Sequence, residues 1–342
     1  MLKWNETELE QLVSQHESLG HALLIHGPQG VGKLAFAMAL AQALLCEQPG
    51  RGGLACAACP ACGWFTAGNH PDFRCIEPES LVDERRQASG EEEGEDRNGG
   101  GHFITVEQVR ALAGLVEVSA HRGGAKVIVL HPAESLNVQA ANALLKSLEE
   151  PPERTYFLLV AHRPGCIPLT VLSRCRRVPL GRPEKAAAVA WLRSAGVDEP
   201  ETALAHAGDA PLLARDLAGA EYWQQRGALL TSLGAPNLDA LATAEQIRDY
   251  DVTTVLACLQ KWTFDLLLQR CAGAIRYNPD FAVQIRALAA RINTLPLLRY
   301  HGELVRLQRV AQHPLNARLL FEMLLTDYQR AVASARLAAM AA

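Results

Sequence analysis

Nowhere does this sequence hold about 18 apolar residues in a row, so no segment reads as a transmembrane helix. Residues 1–10 carry Lys3, Glu6, Glu8 and Glu10 and lack an apolar stretch of signal-peptide length, which predicts a cytoplasmic protein without membrane contact. Aromatic residues are scarce at 6%, whereas Ala and Leu abound, and this favours helices over an all-β sandwich. Basic charge is not in excess either. Against 33 Lys and Arg stand 37 Asp and Glu, a net charge of -4, which excludes a basic coat for nucleic acid. Any DNA contact must be local or shared with partners. Apolar residues make up 49% of the 342, enough to bury a core and too many for a disordered tail; the length suggests two or three domains. Nine cysteines in a reducing compartment do not suggest a disulfide framework, so a tight cysteine cluster would signal metal.

The first half alternates in period. A short apolar strand over residues 21–26 meets a Gly-rich turn and an apolar helix over 33–45. A cysteine module follows, then a strand over 72–76. Residues 79–96 hold eight acids (Glu79, Asp83, Glu84, Glu91, Glu92, Glu93, Glu95 and Asp96), and glycines close the stretch at 101. The composition of 79–101 predicts a solvated insertion without a function of its own. Thr105 and Gln108 form a capping box that opens a helix through about residue 118. Strands are predicted over 126–130, 155–161 and 176–180, and a periodic helix over 135–150 stopped by Pro151-Pro152. Strands alternating with helices predict an α/β fold, a parallel sheet with helices on both faces. After Pro183 the strand signals end. Short helices are expected at 186–195 and 211–218, and long ones at 253–270, 281–291, 297–311 and 315–337.

Gly27-Pro28-Gln29-Gly30-Val31-Gly32-Lys33 matches the first seven positions of the phosphate loop G-x-x-x-x-G-K-[ST], and it lies between a strand and a helix as that loop must. Glycines let successive backbone N–H groups turn inward on an anion, the helix N-terminus adds positive potential, and Lys33 would reach the outer phosphates. The eighth position is Leu34, which has no hydroxyl for magnesium. The strand 126–130 runs into His131-Pro132-Ala133-Glu134, where a working ATPase places carboxylates for the metal. Glu134 is displaced and is expected to cap the next helix. Two elements of hydrolysis are missing, so Gly27, Gly30, Gly32 and Lys33 form a degenerate loop with weak or no nucleotide binding.

Cys46, Cys56, Cys59 and Cys62 have the spacing C-x9-C-x2-C-x2-C. Four thiolates gathered by short turns suit tetrahedral zinc. An iron–sulfur cluster is the competing reading, disfavoured because nothing else in the chain suggests redox chemistry. The module offers no open coordination position, which makes the metal structural. Cys75, Cys166, Cys175, Cys258 and Cys271 are dispersed and read as small core or surface residues.

Together these features resemble the delta-prime subunits of bacterial DNA polymerase III clamp loaders. The resemblance rests on the loop at 27–33, the four cysteines directly after the first helix, and Asn69-His70-Pro71-Asp72. It also rests on the block Ala140-Ala141-Asn142-Ala143-Leu144-Leu145-Lys146-Ser147-Leu148-Glu149-Glu150-Pro151-Pro152, on Ser173-Arg174-Cys175, and on Asn316-Ala317-Arg318-Leu319-Leu320-Phe321-Glu322. It spans the chain apart from the acidic insertion. It implies a RecA-like AAA+ domain over 1–181 carrying zinc, a small helical lid over 182–222 and an all-α collar over 223–342 that assembles a five-subunit ring. It further implies a rigid stator between a gamma/tau ATPase and delta, with Arg174, flanked by Ser173 and Cys175, entering the neighbouring gamma/tau site as an arginine finger. ATP would be bound by the partner subunits, and primed DNA and the sliding clamp would be met through the complex.

Departures from the active relatives point to an inert role. Residues 155–161 run into Ala161-His162, where active ATPases carry a small polar sensor, and His162 is expected to be a half-exposed strand-end histidine. Gly208-Asp209-Ala210-Pro211 puts Pro211 where the motor has arginine. The expected function is therefore a subunit without intrinsic ATPase activity. The alternative is an active gamma/tau-type ATPase, against which Leu34, His131 and Pro132 speak. A zinc-dependent DNA-binding regulator lacks a basic helix face next to the cysteines.

Overall fold

The chain is described by a computed structural model over residues 2–15, 19–83, 101–117, 124–308 and 316–340. Most of the acidic insertion, residues 84–100, and the predicted helix end at 118 lie outside these. The elements up to residue 184 are α1 (Glu6–Ser14), β1 (Ala22–His26), α2 (Lys33–Leu45), α3 (Pro60–Thr66), β2 (Phe73–Ile76), α4 (Val106–Glu117), β3 (Lys126–Leu130), α5 (Val138–Glu149), β4 (Thr155–Ala161), α6 (Leu169–Leu172) and β5 (Arg176–Pro179). The strands make one parallel sheet in the order β2-β3-β4-β1-β5.

Neighbouring residues of a strand face opposite sides of a sheet. Here both sides are buried, as the near-continuous apolar runs require. Leu24, Ile128, Leu130, Phe157 and Leu159 join α4, α5 and α6 in one layer. Leu23, Ile25, Val127, Val129, Leu158 and Val160 join α1 and α2 in the other. All eleven are fully buried, each at about 1.5–3 kcal/mol of transfer free energy. The order places β1, with its glycine turn, beside β4, and it is the RecA-like AAA+ core that the resemblance implies.

Local signals set the element ends. Thr105 and Gln108 form the predicted box in both directions: Thr105 N–H donates to Gln108 Oε1 at 2.8 Å and Gln108 N–H to Thr105 Oγ1 at 3.3 Å. The helix expected from 135 begins three residues later. Asn137 Oδ1 accepts the Ala140 N–H at 2.7 Å and caps α5, while Ala133–Ser135 form a separate 3-10 turn.

A second unit, Lys185–Ala342, is helical throughout its described residues. Its elements are α7 (Lys185–Ser194), α8 (Pro200–His206), α9 (Pro211–Asp216), α10 (Ala220–Gly234), α11 (Ala240–Gln246), α12 (Val252–Ala272), α13 (Ala282–Ala289), α14 (Thr294–Leu307) and α15 (Ala317–Met340). It holds two apolar clusters: a small one around Leu192, Leu204 and Ala214, and a large one around Trp262, Phe321 and Tyr328. The sequence boundary at 222/223 falls inside α10. Trp223 packs on the small cluster, and Leu229, Leu230 and Leu233 enter the large one. Trp262 Nε1–H donates to Tyr328 Oη at 2.8 Å, and that hydroxyl donates to the Leu233 carbonyl at 3.0 Å, joining α12, α15 and α10. No helix of the described residues is long and apolar enough to cross a membrane.

Candidate functional site

The loop at 27–33 leaves β1 and enters α2. Gly27 has φ 155°, and a Cβ there would lie 2.1 Å from the Leu180 carbonyl oxygen, just past β5. Gly30 and Gly32 have φ 77° and 95°, and a Cβ on Gly32 would lie 2.3 Å from Leu2 Cδ1. The close backbone carbonyl therefore demands glycine at 27, and the left-handed φ favours it at 32. Residues 2–5 cover the loop: Trp4 Nε1 and Asn5 Nδ2 both donate to the Val31 carbonyl, at 3.1 and 3.2 Å. Lys33 is buried and donates from Nζ to the Pro28 carbonyl of its own loop. Burial, opposed by nearby Glu134, pulls its ammonium down to about 8. Leu34 packs against the apolar layer of α1 and α2.

The ends of β3 and β4 bring three predicted residues together and change the reading of one. His131 Nδ1 lies 2.8 Å from Glu77 Oε1, and its ring meets His162 edge-on with centroids 5.5 Å apart. Glu134 does not cap α5. Its carboxylate accepts the N–H groups of His162 at 3.0 and 3.1 Å and of Arg163 at 3.1 Å, clamping the chain as it leaves β4. Those N–H groups have no strand partner at that point, so the nearest carboxylate takes them. His162 is half-buried as expected. Burial, then Lys33, His131 and Arg163, pushes it down to about 4, so the imidazole is neutral, and its Nδ1 has no hydrogen-bond partner. Sequence reasoning missed Leu2, Trp4, Asn5 and Glu77, which lie tens of residues from the groups they serve and carry no motif.

Ser173, Arg174 and Cys175 follow α6 and lead into β5. Arg174 is half-buried and held on three sides within its own chain. Nη1 donates to the Thr170 carbonyl at 2.8 Å and to Ser173 Oγ at 3.3 Å, and Nη2 pairs with Glu149 Oε1. Cys175 packs against the apolar layer of α5, and burial pushes its thiol up to about 11. Within the triplet, Ser173 accepts from the guanidinium and Cys175 anchors the turn in the core.

The four predicted ligands converge. All four sulfurs lie within 4.8 Å of one another. Cys46 Sγ is 3.5 Å from Cys56 Sγ and 3.9 Å from Cys59 Sγ, near the ~3.8 Å edge of a zinc–thiolate tetrahedron with 2.3 Å bonds. Backbone N–H groups of Cys56, Ala58, Cys59 and Cys62 point at sulfurs of the cluster. Burial, with the Cys59 and Cys46 sulfurs beside it, pushes Cys62 up to about 12; four thiolates cannot gather here without a cation. The donor set of four thiolates fits a tetrahedral metal ion such as zinc. Among the dispersed cysteines, Cys258 is buried, and Cys75, Cys166 and Cys271 are exposed.

The family model described as "DNA polymerase III, delta subunit" matches residues 5–184, and that of its C-terminal part matches 220–330. The chain is 37% identical to DNA polymerase III subunit delta' of Pseudomonas aeruginosa, over 80% of this chain and 77% of that one. It is 35% identical to the subunit delta' of Yersinia pestis, over 97% and 96% of the two chains. It is 30% identical to that of Escherichia coli, over 94% and 93%. Sequence likeness at this level over nearly the full length, on an AAA+ core with a helical second unit, means that the chain belongs to the family of DNA polymerase III delta' subunits.

Proposed function

We propose that this chain is the non-catalytic stator of the DNA polymerase III clamp loader, which acts in the cytoplasm to place the sliding clamp on primed DNA. It would hold a gamma/tau ATPase subunit on one side and delta on the other, and lend Arg174 to the neighbouring gamma/tau nucleotide site. The collar over 223–342 would assemble the ring, and the helices over 182–222 would stand in the place of the AAA+ lid. Zinc would fill the four-cysteine module as structural support.

One observation carries the inert reading. The side chains that a working site would direct at ATP and magnesium are replaced or engaged elsewhere. Leu34 packs into the core, Lys33 bonds its own loop, His131 faces Glu77, and Glu134 holds the backbone after β4. With neither a hydroxyl at Leu34 nor carboxylates at His131 and Pro132 to place the metal, phosphoryl transfer would lose its main charge stabilisation. Arg174 is the right chemistry for the trans role, because a planar guanidinium grips phosphate oxygens at two points, and such a finger is worth about 10³–10⁵ in rate at its site.

The test compares two variants in one reconstituted loader, with folding and assembly checked. Arg174→Ala is expected to lower ATP hydrolysis at one motor site and clamp loading more strongly. Lys33→Ala is expected to do much less. A larger loading defect from Lys33→Ala, or magnesium-dependent turnover by the isolated chain on the order of one per second, would instead support an active gamma/tau-type ATPase.

A further inference from the structure

We infer that Glu149 is a positioning residue for Arg174, holding the guanidinium in the pose it presents to the neighbouring nucleotide site; this rests on the trans role proposed above. Glu149 is the last residue of α5. A carboxylate there faces the negative end of the helix dipole, so helix stability does not explain it. Its place is nonetheless fixed. Leu148 beside it is 1% exposed, and His21 Nε2 meets the Leu148 carbonyl at 2.7 Å, pinning the helix end to the start of β1. Pro151 and Pro152 forbid the helix to run on. The acid thus sits on a rigid element, whereas Arg174 sits on the turn between α6 and β5.

The donor inventory shows what the pairing does. A guanidinium has five N–H donors. Thr170 and Ser173 take those of Nη1, and Glu149 takes one of Nη2. The Nε–H and the second Nη2–H remain for an incoming phosphate oxygen. The arginine is therefore steadied without being used up. A surface ion pair of this kind adds little to stability, and its effect lies in orientation. Holding a reacting group in pose before the partner arrives removes an entropy cost that would otherwise fall on the transition state.

A double-mutant cycle in the reconstituted loader, with clamp and primed DNA, tests this. Glu149→Ala is expected to remove about half or more of the ATP hydrolysis that Arg174→Ala removes, through kcat, with KM for ATP unchanged. Glu149→Gln, whose amide oxygen still accepts from Nη2, is expected to lose less. In the Arg174→Ala background neither substitution should lower the rate further. The inference is overturned if Glu149→Ala leaves the rate unchanged, raises it, or lowers it equally with and without Arg174. If Arg174→Ala itself leaves hydrolysis by the assembled ring unchanged, the trans role has failed, and the positioning role with it.

Discussion

A guanidinium that is 3% exposed must find an acceptor for its donors, and Arg226 finds three residues. Nη1 and Nη2 grip Asp280 at 2.7 and 2.9 Å, Nη2 also meets Asn278 Oδ1 at 2.9 Å, and Nε donates to His206 Nδ1 at 3.2 Å. Trp223 and Phe281 lie against the guanidinium, at 4.7 and 5.6 Å. Arginine keeps its protons at any working pH, so His206 Nδ1 must be the acceptor, and Nε2–H faces the Tyr222 hydroxyl at 2.6 Å. Burial first, then Lys261 and Arg226, pushes His206 down to about 2. Its unfolded value is near 6.5, so below that pH the unfolded chain takes a proton that the folded chain refuses. The stabilisation is complete above about pH 6.5 and is lost as pH falls from there toward 2. Urea unfolding at pH 7 and pH 5 should show it, with His206→Asn shrinking the pH difference by about 1–2 kcal/mol. The remaining slope would include His162, lowered in the other unit. Equal pH losses in both proteins would show that His206 carries none of it. Nothing in the sequence marks this hub, because His206, Arg226 and Asp280 share no motif.

At the scale of elements, the cysteine module forms its own small apolar cluster of Cys59, Ala61 and Cys62 with Cys46, Ala55 and Cys56 at its edge, distinct from the two layers of the sheet. Cys59→Ser should therefore release the metal and open residues 46–66 to protease while the sheet persists. Zinc binding in small modules is worth about 10–16 kcal/mol apparent, and that energy is spent locally. Metal analysis paired with limited proteolysis checks this; iron with acid-labile sulfide in the native protein, or collapse of the whole unit in the variant, would refute it. The module, the capping box and the glycine turn were legible in the sequence, since each depends on residues within about 16 positions of one another. Helix α5 was legible apart from its start, where a 3-10 turn with the same apolar spacing precedes the Asn137 cap. In helix α15 residues 319, 320, 323 and 324 form one apolar stripe in sequence, and the fold divides it: Leu320 and Leu324 are 9% and 2% exposed, while Leu319 and Met323 are 61% and 45% exposed. A helix whose apolar arc is wider than its core needs divides between two faces.

That division has a consequence at the scale of the molecule. Leu319 and Met323, with Leu241 of α11 also exposed at 64%, are apolar side chains that the chain leaves in water. In the proposed ring they would meet a partner subunit. Replacing Leu319 and Met323 together by Glu should change the unfolding free energy of the isolated protein, measured in urea, by only about 0.5 kcal/mol, because exposed positions contribute little to folding. Assembly with partner subunits, followed by sedimentation, should weaken about tenfold or more from burying charge. Undiminished assembly would remove this face from the collar proposal.

The sequence by itself determined the parallel α/β core, the glycine-constrained turn and the clustering of the four cysteines. Period, cap and spacing are short-range properties, written in adjacent residues and obeyed wherever the chain goes. Only the tertiary structure decided what the polar groups at the site are for. It set Glu134 on the N–H groups of His162 and Arg163, Glu77 on His131, Glu149 on Arg174 and Asp280 on Arg226, across 25 to 54 residues. A buried donor or acceptor takes the nearest partner that the finished fold offers, and nearness of that kind is fixed by packing the layers, which no local pattern records.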